Sequence, residues 1–239
     1  MDGALLNDFR NYAMNHLGIS SMQLYYWNQL QENIYSNKML AMPSSPKASM
    51  TPYIIEEMEK RGVQMDIFSR LMMDRIIWLG GVVNDNMSSV VVSQLMWMNQ
   101  QAPKEDITIY VDSPGGSVKS GLSIVDTIDY ISPEVSTVNM GMAASMGSIL
   151  LGCGTKGKRA SLKHSKVMLH QVSSGAQGNV NDMKISLEEA LKYNTELFRL
   201  LGEYTNKKPA QVMKDADRDF WMDADEALAY GIIDEVIGI

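Results

Sequence analysis

The sequence predicts an α/β domain. Short apolar and β-branched runs of strand length alternate with longer runs of helical period, the pattern of β-α units packed in layers. The 239 residues are 45% hydrophobic and 21% charged, the proportions of a folded globular chain. That length suffices for one domain of ordinary upper size with a full hydrophobic core.

The elements follow in order. The stretch from Met1 to about Ala48 is rich in Asn, Gln, Tyr and Ser, and Pro43-Ser44-Ser45-Pro46 breaks any regular structure near its end. Residues 1–48 therefore read as an N-terminal extension and residues 49–239 as the folded domain. Arg75-Ile76-Ile77-Trp78-Leu79 is a β run. Val90-Val91-Val92 scores as strand by propensity, but Val91, Leu95 and Met98 recur at helical spacing, so the run from Met87 to Gln100 is expected to be a helix. A strand from Ile107 to Val111 precedes a helix from Val118 to Tyr130, with Leu122, Val125 and Ile128 apolar. A strand from Val135 to Met140 leads into a helix from Ala144 to Leu151. Lys166-Val167-Met168-Leu169-His170-Gln171 reads as a short apolar strand ending in a histidine. From Asn179 to Tyr204 runs a long helical pattern whose apolar stripe is Met183, Leu187, Ala190, Leu191, Phe198 and Leu201, and Pro209 lies just past its end. Asp225 to Ala229 is helical, and a last β run covers Ile232 to Ile237.

Composition narrows the function. The net charge is −7 and no basic cluster is interleaved with aromatics, which argues against a nucleic-acid surface. No Cys or His pair has metal-ligand spacing, so neither metal nor cofactor is expected. Cys153 is the only cysteine; no intramolecular disulfide can form, which suits a reducing cytoplasm, and a buried apolar role is expected for it. No stretch approaches roughly 18 apolar residues, and the N-terminus lacks a basic-then-apolar signal, so no membrane association is expected. Met72, Met73, Met96 and Met98, among twenty methionines, lie in apolar runs and read as core filling.

Chemistry is concentrated in four segments. In Gly141-Met142-Ala143-Ala144-Ser145-Met146-Gly147 a serine sits among small residues between a strand and a helix, where free N–H groups and the helix dipole favour negative charge. The spacing is not the Gly-x-Ser-x-Gly elbow, because Ala143 stands where its first glycine would be. His170 ends an apolar strand. Asp215-Ala216-Asp217-Arg218-Asp219 supplies carboxylates before a helix. Serine as nucleophile, imidazole as base and carboxylate to orient the imidazole are the types an acyl-transfer triad needs. Asp112-Ser113-Pro114-Gly115-Gly116 follows a strand, and its glycines let backbone N–H groups approach a ligand. Pattern alone does not separate His164 from His170, an even number of residues apart on one strand reading. Nor does it choose among Asp215, Asp217 and Asp219; His16 lies in the extension.

Ser113-Pro114-Gly115-Gly116, the run from Met140 to Gly147, Met168-Leu169-His170-Gln171 and Arg218-Asp219 occur in an order and spacing that resemble the ClpP family, the serine-peptidase subunits of Clp degradation machines. Phe68-Ser69-Arg70-Leu71, Lys156-Gly157-Lys158-Arg159 and Tyr230-Gly231-Ile232-Ile233-Asp234 fit too, so the similarity runs from about Ser49 to the C-terminus. By this resemblance Ser145 is the nucleophile, His170 the general base and Asp219 the orienting acid. Gly116 and Met146 supply the oxyanion N–H groups. Asp217 and Arg218 fall at an ion pair that links ring assembly to activity, and Tyr110, Met140 and Leu162 fall at an unfoldase docking groove. One departure stands beside the base: Val172 replaces a proline usual in the family.

The resemblance also implies a crotonase-like core of stacked β-α units with the long helix as a protruding handle, and two stacked heptameric rings enclosing a chamber. Hexameric AAA+ Clp unfoldases would feed it unfolded proteins, using ATP that this cytoplasmic subunit does not. The extension is expected to be a propeptide, cut near Ala48, Ser49 or Met50. Two rivals are a non-catalytic ring subunit, against which all three triad residues stand, and a crotonase-type acyl-CoA enzyme, which needs no serine nucleophile.

Overall fold

The computed structural model describes residues 53–58, 61–175 and 177–238. The extension and its expected cleavage point lie outside them, as does His16. The unit Ile54–Ile239 carries the fold. Two six-residue strands, β1 (Tyr53–Met58) and β2 (Arg61–Asp66), form their own two-stranded sheet. Asp66 then caps α1 (Ile67–Met73) by accepting from the Phe68 and Ser69 N–H groups.

The main sheet grows by parallel addition. β3 (Ile76–Gly80) pairs with β4 (Ile107–Ser113), and β4 with β5 (Val135–Ala144). The crossovers are α2 (Asp85–Gln101), capped by Asn84, and α3 (Val118–Tyr130), capped by Ser117. Val91, Leu95 and Met98 are the buried face of α2, as their spacing predicts, whereas on α3 Leu122 is only half-buried and Ile124 takes its place in the core. Alternation along β4 buries Ile107, Ile109, Val111 and Ser113 and leaves Thr108, Tyr110 and Asp112 on a half-open face.

β5 does not stop at Met140, where its apolar run ends. It continues to Ala144 and changes partner on the way. Thr137–Asn139 pair with β6 (Arg159–Leu162), and Met142–Ala144 pair with β7 (Lys166–Leu169). Gly141 makes the change possible: its φ is 129°, and a Cβ there would stand 2.8 Å from Asp112 Oδ1. That same carboxylate oxygen accepts the Met142 N–H at 3.2 Å, while Ser165 Oγ accepts the Gly141 N–H at 2.8 Å. The extra length carries the chain up to Ser145 and into α4 (Met146–Gly152), which is buried throughout.

Beyond β7 comes α5 (Val180–Thr205), capped by Asn179 and closed by Asn206 in the left-handed conformation at φ 56°. Its C-terminal half is embedded through Phe198, Leu200 and Leu201. Of the expected stripe, Leu187 and Leu191 are instead 58% exposed and Met183 and Ala190 half-buried, so the N-terminal half stands free of this unit's core. Pro209 opens a further short helix, α6 (Pro209–Asp215), and is followed by β8 (Phe220–Met222), antiparallel to β7. The capping box of Asp223 and Glu226 starts α7 (Ala224–Tyr230). The last strand, β9 (Glu235–Ile237), pairs with β6, while Ile232 and Ile233 belong to the core rather than to the strand. The fold is thus the expected mixed α/β domain with a mostly parallel sheet.

Candidate active site

Ser145 stands where β5 passes into α4, with φ 54° and ψ −122°. A non-glycine residue held there costs about 1–3 kcal/mol and needs surroundings that over-determine it. They do so here: the Ser145 N–H donates to the Met168 carbonyl at 2.9 Å, and its own carbonyl accepts from the Ser148 N–H at 3.0 Å and the Ser148 hydroxyl at 2.6 Å. An ordinary N-cap serine has extended backbone and turns its hydroxyl onto the first helical turn. In this conformation Ser145 makes no such capping bond. Its hydroxyl is left to a cleft of ≈ 160 Å³ that it lines with Gly116, Met146, His170, Val172 and Asn194.

The glycine turn is built onto the serine turn. Val83 N–H donates to the Gly115 carbonyl and Ser117 N–H to the Val83 carbonyl, each at 2.8 Å. Alternate N–H groups along such a bridge face opposite ways, so the Gly116 N–H faces away from Val83. Gly115, at φ 91°, lies so close to the serine that a Cβ on it would be 2.7 Å from Ser145 Cβ and 2.8 Å from Met146 N. Met146 begins α4, and N–H groups in a first helical turn have no partner inside the helix. Gly116 and Met146 both line the cleft beside Ser145.

His170 lies one residue beyond β7, and the ladder places its partner. Leu169 pairs with Phe220, so His170 and Asp219 stand opposite each other at the strand ends. His170 Nδ1 is 3.5 Å from Asp219 Oδ1, with the histidine side chain 27% and the aspartate 63% exposed. That separation is at the outer edge of a hydrogen bond, a length common in sites that tighten only with substrate. His164 is not on a continuous strand with His170: it is exposed in the turn between β6 and β7. Asp215 faces elsewhere, accepting from Tyr230 Oη at 3.0 Å and Gln211 Nε2 at 2.7 Å. Asp217 and Arg218 are exposed in the turn before Asp219, and the Asp217 carbonyl accepts from Gln171 Nε2 at 3.1 Å.

Other residues singled out in the sequence lie apart from this cleft. Register pairs Tyr110 with Val138 and Val138 with Ala160, so Tyr110, Met140 and Leu162 share one sheet face, all half-buried. Cys153 is buried, and burial pushes its thiol up to about 12, which keeps it protonated and unreactive. Among the described residues no group of three or more His, Cys, Asp or Glu is placed to hold a metal ion, and no helix is long and apolar enough to cross a membrane. Sequence reasoning missed Asn194, whose Oδ1 accepts the Val172 N–H at 2.9 Å. The available signal was a polar residue in helical register with Phe198 and Leu201.

A strand-to-helix serine under backbone strain, lining one cleft with a histidine and a glycine turn, is the arrangement of a serine peptidase on a β-α core. Comparison with known proteins narrows that class. The family model for Clp protease matches residues 59–239. Over 232 residues the chain is 44% identical to the ATP-dependent Clp protease proteolytic subunit of Porphyromonas gingivalis, covering 97% of this chain and 98% of that one. It is 43% identical over 232 residues to the protein of the same name from Bacteroides thetaiotaomicron, with 97% and 99% covered. A further such subunit, from Bacteroides fragilis, is 47% identical over 188 residues, 79% of this chain and 91% of that one. The chain belongs to the Clp protease family.

Proposed function

We propose that this chain is the ATP-independent serine endopeptidase subunit of a Clp-type machine, cleaving unfolded polypeptides inside a chamber of two stacked heptameric rings. The observation that carries the reading is the strained Ser145, its hydroxyl withheld from helix capping and opening into the cleft that His170 lines. Ser145 Oγ attacks the scissile carbonyl while His170 takes its proton. Asp219 faces Nδ1, holding the imidazole with its other nitrogen toward the serine and stabilising the imidazolium. The Gly116 and Met146 N–H groups receive the oxyanion. His170 returns the proton to the leaving amine, and water releases the acyl-enzyme by the same relay in reverse.

What one chain leaves uncovered supports this assembly. The free half of α5 presents Val180, Ile185, Leu187 and Leu191 to solvent, an apolar surface suited to a facing ring. To Asp217 and Arg218, exposed in the turn before Asp219, we assign the ion pair that links ring assembly to activity. The face bearing Tyr110, Met140 and Leu162 suits the loops of hexameric AAA+ Clp unfoldases. A closed chamber restricts such an enzyme to threaded, unfolded chains in the cytoplasm, and the extension 1–48 is a propeptide.

Intact mass after fluorophosphonate treatment tests the chemistry. One adduct is expected on the wild type and none on Ser145→Ala, which also loses peptide cleavage while keeping its fold by circular dichroism. Cleavage that survives in Ser145→Ala overturns the assignment. The same spectrum, starting at Met1 in active protein, would overturn the propeptide.

A further inference from the structure

Past Leu169 the chain leaves the β7–β8 ladder, and each of the next three residues makes a contact outside it. His170 faces Asp219 at 3.5 Å, the Gln171 side chain donates to the Asp217 carbonyl at 3.1 Å, and the Val172 N–H donates to Asn194 Oδ1 at 2.9 Å. The first two contacts come from the same exposed turn. The third comes from α5 and is the shortest and best shielded. Asn194 shares a helix face with Phe198 and Leu201, four and seven residues on, and all three line the cleft with Ser145. An amide on an apolar stripe is unfavourable unless its oxygen finds a donor. The donor it finds is a backbone N–H that exists only because residue 172 is not proline.

We propose that Asn194 is a positioning residue for His170: its Oδ1 grips the Val172 N–H and so fixes the segment 170–172 against α5. This rests on the reading of Ser145 and His170 as nucleophile and base. The grip acts two residues from the imidazole, so its loss lets the ring leave the line between Ser145 and Asp219 while substrate contacts elsewhere in the cleft persist. The effect therefore falls on kcat rather than KM.

Four proteins test this with a fluorogenic peptide, rates being divided by active sites titrated with fluorophosphonate. Asn194→Leu keeps the branched shape and removes the acceptor; kcat is expected to fall about tenfold with KM changed by less than about twofold. Asn194→Asp keeps the acceptor and recovers most of that loss. Val172→Pro removes the donor, and adding Asn194→Leu to it is expected to change kcat no further. An equal loss from Asn194→Leu in both backgrounds, no recovery with Asp, or a loss confined to melting temperature overturns the positioning role. Ser145→Ala run in parallel separates the two levels. If it retains cleavage, the serine reading and the positioning role fall together; if it is inactive while Asn194→Leu matches wild type, only the positioning role falls.

Discussion

Gly115 and Gly116 decide whether Ser145 can hold its conformation. Both have positive φ, 91° and 149°, and both are in contact with backbone that cannot give way. At Gly116 an added Cβ would stand 2.2 Å from the Val83 carbonyl oxygen, so Gly116→Ala must displace the N–H proposed as an oxyanion donor. Steady-state kinetics on a short peptide should show kcat falling about 10²–10³-fold, the usual cost of one oxyanion donor. Gly157→Ala is the matched control: its φ is 88°, but open space surrounds it. It should lower stability by about 1–2 kcal/mol and leave kcat unchanged. Ser145 and the glycine pair were only weakly marked in the sequence, because serines in small-residue turns and Gly-Gly turns are common; it was the order and spacing of several segments together that singled them out. Pattern left His164 and His170 equivalent, along with three aspartates, because their difference is one of ladder register. Leu169 opposite Phe220 puts Asp219 beside His170, and nothing within either segment announces that pairing.

Elements long enough to show a period were legible. α2, α3 and α5 start and end within two residues of the apolar pattern, since one face of each repeats at helical spacing. β6, β8 and α6 were not seen: three to seven residues are too few to give a period to read. The overrun of β5 was hidden for a different reason. Gly141 looks like a stop, yet its freedom at φ 129° is what lets the strand continue with a new partner. In α5 the stripe was legible but its destination was not. Leu187 and Leu191 read as core, and each is 58% exposed in this unit. In the double ring proposed above, their partner would be the facing ring. Leu187→Lys with Leu191→Lys should leave the melting curve of the subunit fold nearly unchanged, because little of either side chain is buried within it. The same variant should move sedimentation from tetradecamer toward single rings, each desolvated leucine being worth roughly 1.5–3 kcal/mol at an interface. Intact tetradecamers would show that this face of α5 does not join the rings.

Across the whole molecule, Arg159 is the point where separate parts are tied together. Its guanidinium donates to the Tyr204 carbonyl at 2.9 Å near the end of α5 and to the Gly231 carbonyl at 3.1 Å at the end of α7. It also reaches Asp234 Oδ1 at 2.6 Å and Oδ2 at 2.8 Å. A cation at helix C-termini meets the negative ends of their dipoles, so one side chain locks the helix ends to the β6–β9 edge of the sheet. The Arg159 side chain is 3% exposed and that of Asp234 19%, so the pair is mostly removed from water. Burial opposes the charged form of Asp234, but hydrogen bonds from Arg159 and the Gly157 N–H outweigh it and hold the carboxyl below its ordinary value of 3.8. The sign of the linkage follows. The depressed native pKa contributes stability that is complete above the unfolded value near 4, where the carboxylate is ionised in both states. It is lost as pH falls through the native pKa, because the unfolded chain takes up the proton first. Asp234→Asn leaves Arg159 buried without its counter-charge, and breaking such a pair costs about 3 kcal/mol when one partner keeps some exposure. For a chain of this size that lowers the melting temperature at pH 7 by roughly 6–12 °C. Thermal melts of wild type and Asp234→Asn from pH 7 down to pH 3 should therefore converge below about pH 4, as wild-type Asp234 itself becomes protonated. A gap that stays constant over that range would mean that the pair contributes by shape and hydrogen bonding alone, without its charge.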